Sequence, residues 1–127
     1  MRYTGFHAGT VELITARSGG HCEILATGCT FVATEVHHRR PRGMGGTRRP
    51  ETSSAANALH ACRSCHMRCE SFRTWARDNG FVVAQHLNPC DVPVWWRCNT
   101  DGYGKRLVLL DDAGGKTPVH TEGTATA

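Results

Sequence analysis

Residues 33 to 70 read ATEVHHRRPRGMGGTRRPETSSAANALHACRSCHMRCE, and they follow a shorter cysteine-bounded stretch, CEILATGC, at residues 22 to 29. Two cysteine pairs, Cys22/Cys29 and Cys62/Cys65, thus bracket a histidine doublet, His37 and His38, and the second pair runs straight into His66. The rest of the chain reads as support for this arrangement.

Two residues separate Cys62 from Cys65, the spacing that lets two thiolates reach one tetrahedral ion about 2.3 Å away. The first pair is wider, with six residues between, among them an Ala-Thr-Gly able to make the turn. Together the four predict a structural zinc site that ties the two ends of the motif together, a useful staple for a domain this small. A redox pair would want a thioredoxin-like strand pattern that the flanks lack, and buried free thiols are the plainer alternative. Cys69, Cys90 and Cys98 have no partner at ligand spacing and read as small core residues.

A chain of 127 residues has room for one domain with a modest core. Seven cysteines without a charged-then-apolar leader pattern favour metal binding over disulfides, as expected for a protein of its host's reducing cytosol. The longest apolar runs, Phe81 to Ala84 and Leu107 to Leu110, fall far short of the roughly 20 residues of a membrane span. Net charge is only +4, but between Val36 and Cys69 Arg39, Arg40, Arg42, Arg48, Arg49, Arg63 and Arg68 face the single acid Glu51. Such a run is either a polyanion-facing surface or a solvated charge cluster.

Working outward, residues Met1 to Gly9 are expected to be loosely ordered. A short helix is predicted from the Thr10 cap through Arg17, stopped by Ser-Gly-Gly. FVATEVHHRR (31–40) should be a strand halted by Pro41, residues 41–57 a functional loop, and 57–61 a returning segment. A second helix is predicted from Ser64 or Cys65 to Asn79, with Gly80 beyond it and Phe72 and Trp75 packed inward. FVVAQHL, VPVWWRC and KRLVLLDD then read as short strands of a C-terminal β extension (81–119), and the polar tail from His120 as disordered. Because neighbours on a strand point to opposite faces, His37 and His38 should divide labour. One ring could bind a metal with His66 while the other takes a proton. His7, His21, His60, His86 and His120 read as ordinary surface or core groups.

The order HH, Asn57, CRSCH, set within a zinc quartet, resembles the HNH endonuclease family in the zinc-containing form of many phage and actinobacterial proteins. ATEVHHRRPRGMGG followed by N-x-L-x-x-C-x-x-C-H is its specific part, and it covers about residues 10 to 80. The resemblance implies an α+β fold: a ββα-metal core with an N-terminal helix and a small C-terminal β extension. It also implies metal-dependent hydrolysis of DNA phosphodiesters, by nicking or by cutting both strands. Carried over by position, His38 is the general base, His37 and His66 are ligands of a catalytic Mg²⁺, Mn²⁺, Ni²⁺ or Zn²⁺, and Asn57 braces the loop behind the base. Glu70 stands where many relatives carry a second helical ligand, so it either reaches the ion or orients His66. Arg39, Arg40, Arg42, Arg48 and Arg49 would bind DNA phosphates, with Gly43, Gly45 and Gly46 letting the backbone approach. Phage relatives are often encoded near packaging genes, which implies action with the large terminase subunit. The rival from another class is a non-catalytic zinc module binding nucleic acid or protein, which has no need of the doublet, Asn57 or His66.

Overall fold

The computed structural model describes residues 6–41, 53–97 and 105–119. Helix α1 (Ala8–Ser18) begins two residues before the expected Thr10 cap, with His7 in the capping position and no side-chain cap. It ends as expected at Gly19, whose φ of 65° is the left-handed conformation that glycine adopts freely. Strands β1 (Glu35–His38) and β2 (Ala58–Ala61) then pair antiparallel, Glu35 opposite Ala61 and His37 opposite Leu59. Helix α2 (Arg63–Ser71) leaves directly from the end of β2, with Cys62 as its N-cap.

Strand β1 is shorter than the predicted 31–40. Phe31 takes a φ of 69°, and its carbonyl accepts from Cys22 N–H at 2.6 Å while its own N–H donates to Cys29 Sγ at 3.3 Å. The segment before β1 is thus spent wrapping sulfur atoms. Pairing begins only at Thr34, whose N–H donates to the Ala61 carbonyl.

The predicted second helix is two. Helix α3 (Arg73–Asp78) follows α2 after a break at Phe72 (φ −122°, ψ 69°), with neither glycine nor proline at the joint. Trp75 and Ala76 enter the core, Trp75 lying 5.3 Å from the Phe81 ring. Phe72 does not: it is 57% exposed beneath the Arg68 guanidinium, a correction to its expected core role. FVVAQHL is no strand either, although Phe81, Val82 and Val83 are buried. It bends past the end of β1, the Val83 N–H donating to the Arg39 carbonyl, and then turns, the Leu87 N–H donating to the Ala84 carbonyl. VPVWWRC and KRLVLLDD supply β3 (Val94–Trp96) and β4 (Arg106–Leu110), and an unanticipated β5 (Lys116–Pro118) completes a three-stranded antiparallel sheet. Trp96, Val94, Val108 and Leu110 from it join the main core.

Alternation along the β1/β2 pair gives two faces. Val36 and Ala58 pack with Ile14 of α1, whereas Leu59 and Ala61 join the core that contains Cys62, Cys65 and Cys69 of α2. Beneath the α1 face lies a buried pair that sequence reading missed. Arg17 makes two 2.8 Å bonds to Glu23, also donates to the carbonyls of Ala55 and Ala58, and Glu23 in turn accepts from His60 N–H. Every charge there is matched by hydrogen bonds, the condition under which buried ions are tolerated.

Two buried histidines make this fold acid-sensitive. Burial pushes His37 down to about 3 and lowers His60 as well. A folded pKa below the unfolded value near 6.5 means that the unfolded chain takes up protons first as pH falls. Their contribution is complete above about pH 6.5 and is lost below it. Urea unfolding at about pH 7.5 and 5.5 should show stability falling, with about 1 kcal/mol of the loss from His37, and His60→Gln should flatten the decline.

Two candidate metal centres

The four cysteines of the sequence motif converge. Cys22 follows α1, Cys29 sits after a turn through Leu25 (φ 48°) and Gly28 (φ 83°), Cys62 caps α2 and Cys65 lies in its first turn. Their sulfurs all lie within 4.8 Å of one another, with Cys62 and Cys29 3.7 Å apart. Ligands about 2.3 Å from a tetrahedral ion stand about 3.8 Å from each other, so the spacing suits one ion. The six-residue spacer closes because the Cys29 N–H donates to the Ala26 carbonyl. Backbone N–H groups of Phe31 and Cys65 point at Cys29 and Cys62 sulfurs, which favours thiolates there.

Left to themselves the thiols share protons unevenly. A hydrogen bond from Cys65 pulls Cys22 down to about 5 while the same bond pushes Cys65 up, desolvation raises Cys29 to about 11, and donors from Thr30 and Cys65 outweigh desolvation to lower Cys62. Four thiolates at this range repel, and a divalent cation removes that repulsion. The cluster could therefore hold a structural metal ion such as zinc. Cys69 is fully buried in the neighbouring core, Cys90 is half-buried with Sγ 3.6 Å from Asp112 Oδ1, and Cys98 lies outside the described residues.

A second group forms where β1 meets α2: one ligand atom each from His37, His66 and Glu70 lies within 4.8 Å of the others. His37 is 2% exposed, and its Nε2 donates to the Phe81 carbonyl at 2.7 Å. A carbonyl can only accept, so the proton sits on Nε2 and the lone pair on Nδ1. That Nδ1 is buried and has no hydrogen-bond partner among the described residues. The His37 and His66 rings meet edge-on, centroids 5.1 Å apart, and His66 Nε2 is 3.8 Å from Glu70 Oε1 one helical turn on. Two imidazoles and a carboxylate, with an orphaned buried lone pair among them, fit a divalent ion.

Other predicted residues fall elsewhere. His38 leaves β1 on the opposite face, half-buried, its ring stacked on Phe6 at 4.2 Å. Asn57 is buried at the foot of β2, where Oδ1 accepts from Arg40 N–H at 2.7 Å and Nδ2 donates to the Arg40 carbonyl at 3.4 Å. Arg39 and Arg40, expected on a DNA-facing surface, are corrections. Arg39 is fully buried and donates to the carbonyls of Gly80, Ala56, Pro89 and Val92. Arg40 is 4% exposed and donates to Leu87. Arg42, Arg48, Arg49 and the three loop glycines lie outside the described residues. Sequence reading also passed over Glu35, whose carboxylate meets His66, although β-alternation places it on the same face as His37. No family model, curated protein or solved structure matches this chain. No helix among the described residues is long and apolar enough to cross a membrane.

Proposed function

We propose that this protein is a metal-dependent endonuclease of the HNH type, with a zinc ion in the cysteine quartet and a second divalent ion at His37, His66 and Glu70, and that it hydrolyses DNA phosphodiester bonds. The observation that carries the reading is the buried, unpartnered Nδ1 of His37, on a ring packed against that of His66. A protein that used only its sulfur cluster, as the rival zinc module would, has no reason to bury an imidazole with an idle lone pair.

When bound, the second ion would offset the charge of the phosphate and help the departing oxygen. His37 Nδ1, His66 Nε2 and the half-exposed Glu70 carboxylate would hold it. His38, on the other side of β1, would accept the proton of the attacking water, and its place in the stack with Phe6 fixes the plane of its ring. Asn57 clamps the backbone at Arg40, two residues beyond His38, and so sets where the strand ends. With Arg39 and Arg40 buried, the exposed cations among the described residues that would meet flanking phosphates include Arg63, Arg73 and Arg77 of the helices.

Supercoiled plasmid incubated with zinc-loaded protein and Mg²⁺, Mn²⁺ or Ni²⁺ should be converted to relaxed circles, and EDTA should prevent it. His38→Ala should keep the fold and the zinc and lose at least about a hundredfold in rate, the usual range for a removed general base. Full nicking by purified His38→Ala protein would refute the base assignment. Intact plasmid with every ion would favour the non-catalytic module.

A further inference from the structure

We propose that Glu35 is a positioning residue for the second metal centre, fixing the tautomer and direction of His66 so that Nε2 is presented to a divalent transition-metal ion. The inference rests on the assignment of His66 as a ligand.

Strand β1 carries Glu35 and His37 two residues apart, hence on one face, and that face meets α2. His66 stands between them. Its Nδ1 is 2.6 Å from Glu35 Oε1, its ring is edge-on to His37, and its Nε2 points to Glu70. An ionised carboxylate has no proton to give, so the Nδ1–H donates and the lone pair is left on Nε2, the atom 3.8 Å from Glu70 Oε1. This is the carboxylate–histidine–metal arrangement, in which the carboxylate locks the ring and raises its basicity toward the ion.

Glu35 suits the part. It is paired opposite Ala61, the residue before Cys62, so the sulfur cluster that fixes the start of α2 also fixes the distance between Glu35 and His66. Its second oxygen lies 3.3 Å from Arg63 Nη1, but that side chain is 75% exposed and such a pair contributes little. The strong contact is the short one to His66. His37 is held in the complementary way, its Nε2–H on the Phe81 carbonyl, so both rings are oriented by acceptors that lie outside the ligand group.

The test uses the full chain loaded with zinc, as wild type, Glu35→Ala and Glu35→Gln. Nitrogen-15 NMR of the imidazoles at mildly alkaline pH, with no second ion added, should place the wild-type His66 proton on Nδ1. In Glu35→Ala it should shift to the Nε2–H-rich mixture of a free imidazole. Titration with Co²⁺ should show affinity weakened about 10- to 100-fold in Glu35→Ala, the range for lost outer-shell partners. Glu35→Gln should fall between, because its amide oxygen accepts the same proton without the charge. Zinc content and urea midpoint should stay near wild type in both variants. A wild-type His66 protonated on Nε2, or Co²⁺ binding by Glu35→Ala within twofold of wild type, overturns the assignment. Absence of plasmid nicking alongside the expected tautomer and Co²⁺ results would sink the nuclease reading and leave the role of Glu35 standing.

Discussion

Cys62→Ser protein is expected to be unfolded at neutral pH and 25 °C, with no bound zinc and a far-UV spectrum lacking the wild-type helix signal. Cys62 directly follows β2, caps α2 and sits 3.7 Å from Cys29, so its sulfur joins separate pieces of chain. Structural zinc sites contribute about 10–16 kcal/mol of binding free energy, as much as the whole stability of an ordinary domain. Losing one thiolate ligand forfeits a large part of that. Cys69→Ala is the matched control: Cys69 is equally buried but outside the quartet, so it should keep its zinc and lose only about 1–2 kcal/mol. A folded, zinc-bearing Cys62→Ser protein would show that the four sulfurs do not form one centre.

The second large effect is expected at Arg39. Its guanidinium reaches four carbonyls contributed by the segment before β2, the second residue after α3 and the 3₁₀ turn Pro89–Asp91 with its next residue. Burial pushes its pKa down to about 9, which leaves it charged at neutral pH. Arg39→Met fills similar volume but strands four acceptors, each worth about 1 kcal/mol or more when left unsatisfied. A loss of about 4 kcal/mol or more, read as a fall in the urea midpoint, is expected. Arg39→Lys should recover only part, since an ammonium has three donors and no fork. An Arg39→Met protein with an unchanged midpoint and reduced DNA affinity would restore the surface role that the sequence suggested.

Arg39 also marks where sequence reading stops. A run of arginines looks alike whether it faces solvent or the interior, because the carbonyls that receive Arg39 lie 17 to 53 positions away. Likewise, nothing local announces the break at Phe72, which is set by where Trp75 and Ala76 must pack, or the shortening of β1, which follows from the sulfur-wrapping turn at Phe31. The cysteine quartet was legible because ligand spacing is a local property of the chain and metal chemistry restricts the residue types. Strand alternation indicated that only one ring of the doublet would join His66; that this ring is His37 was what the family resemblance implied. Glu35 was equally open to the alternation argument. A lone acid beside a histidine doublet simply reads as surface charge until the strand face it shares with His37 is considered.

The claim on which the functional reading depends is that the sulfur cluster and the imidazole pair are separate sites, the first organising the second. Native mass spectrometry of zinc-loaded protein with added Co²⁺ tests it most directly. Wild type should carry one zinc and one cobalt, and His66→Ala should keep the zinc and lose the cobalt. A single metal per wild-type chain at saturating Co²⁺, or a cobalt ion retained by His66→Ala, would contradict it.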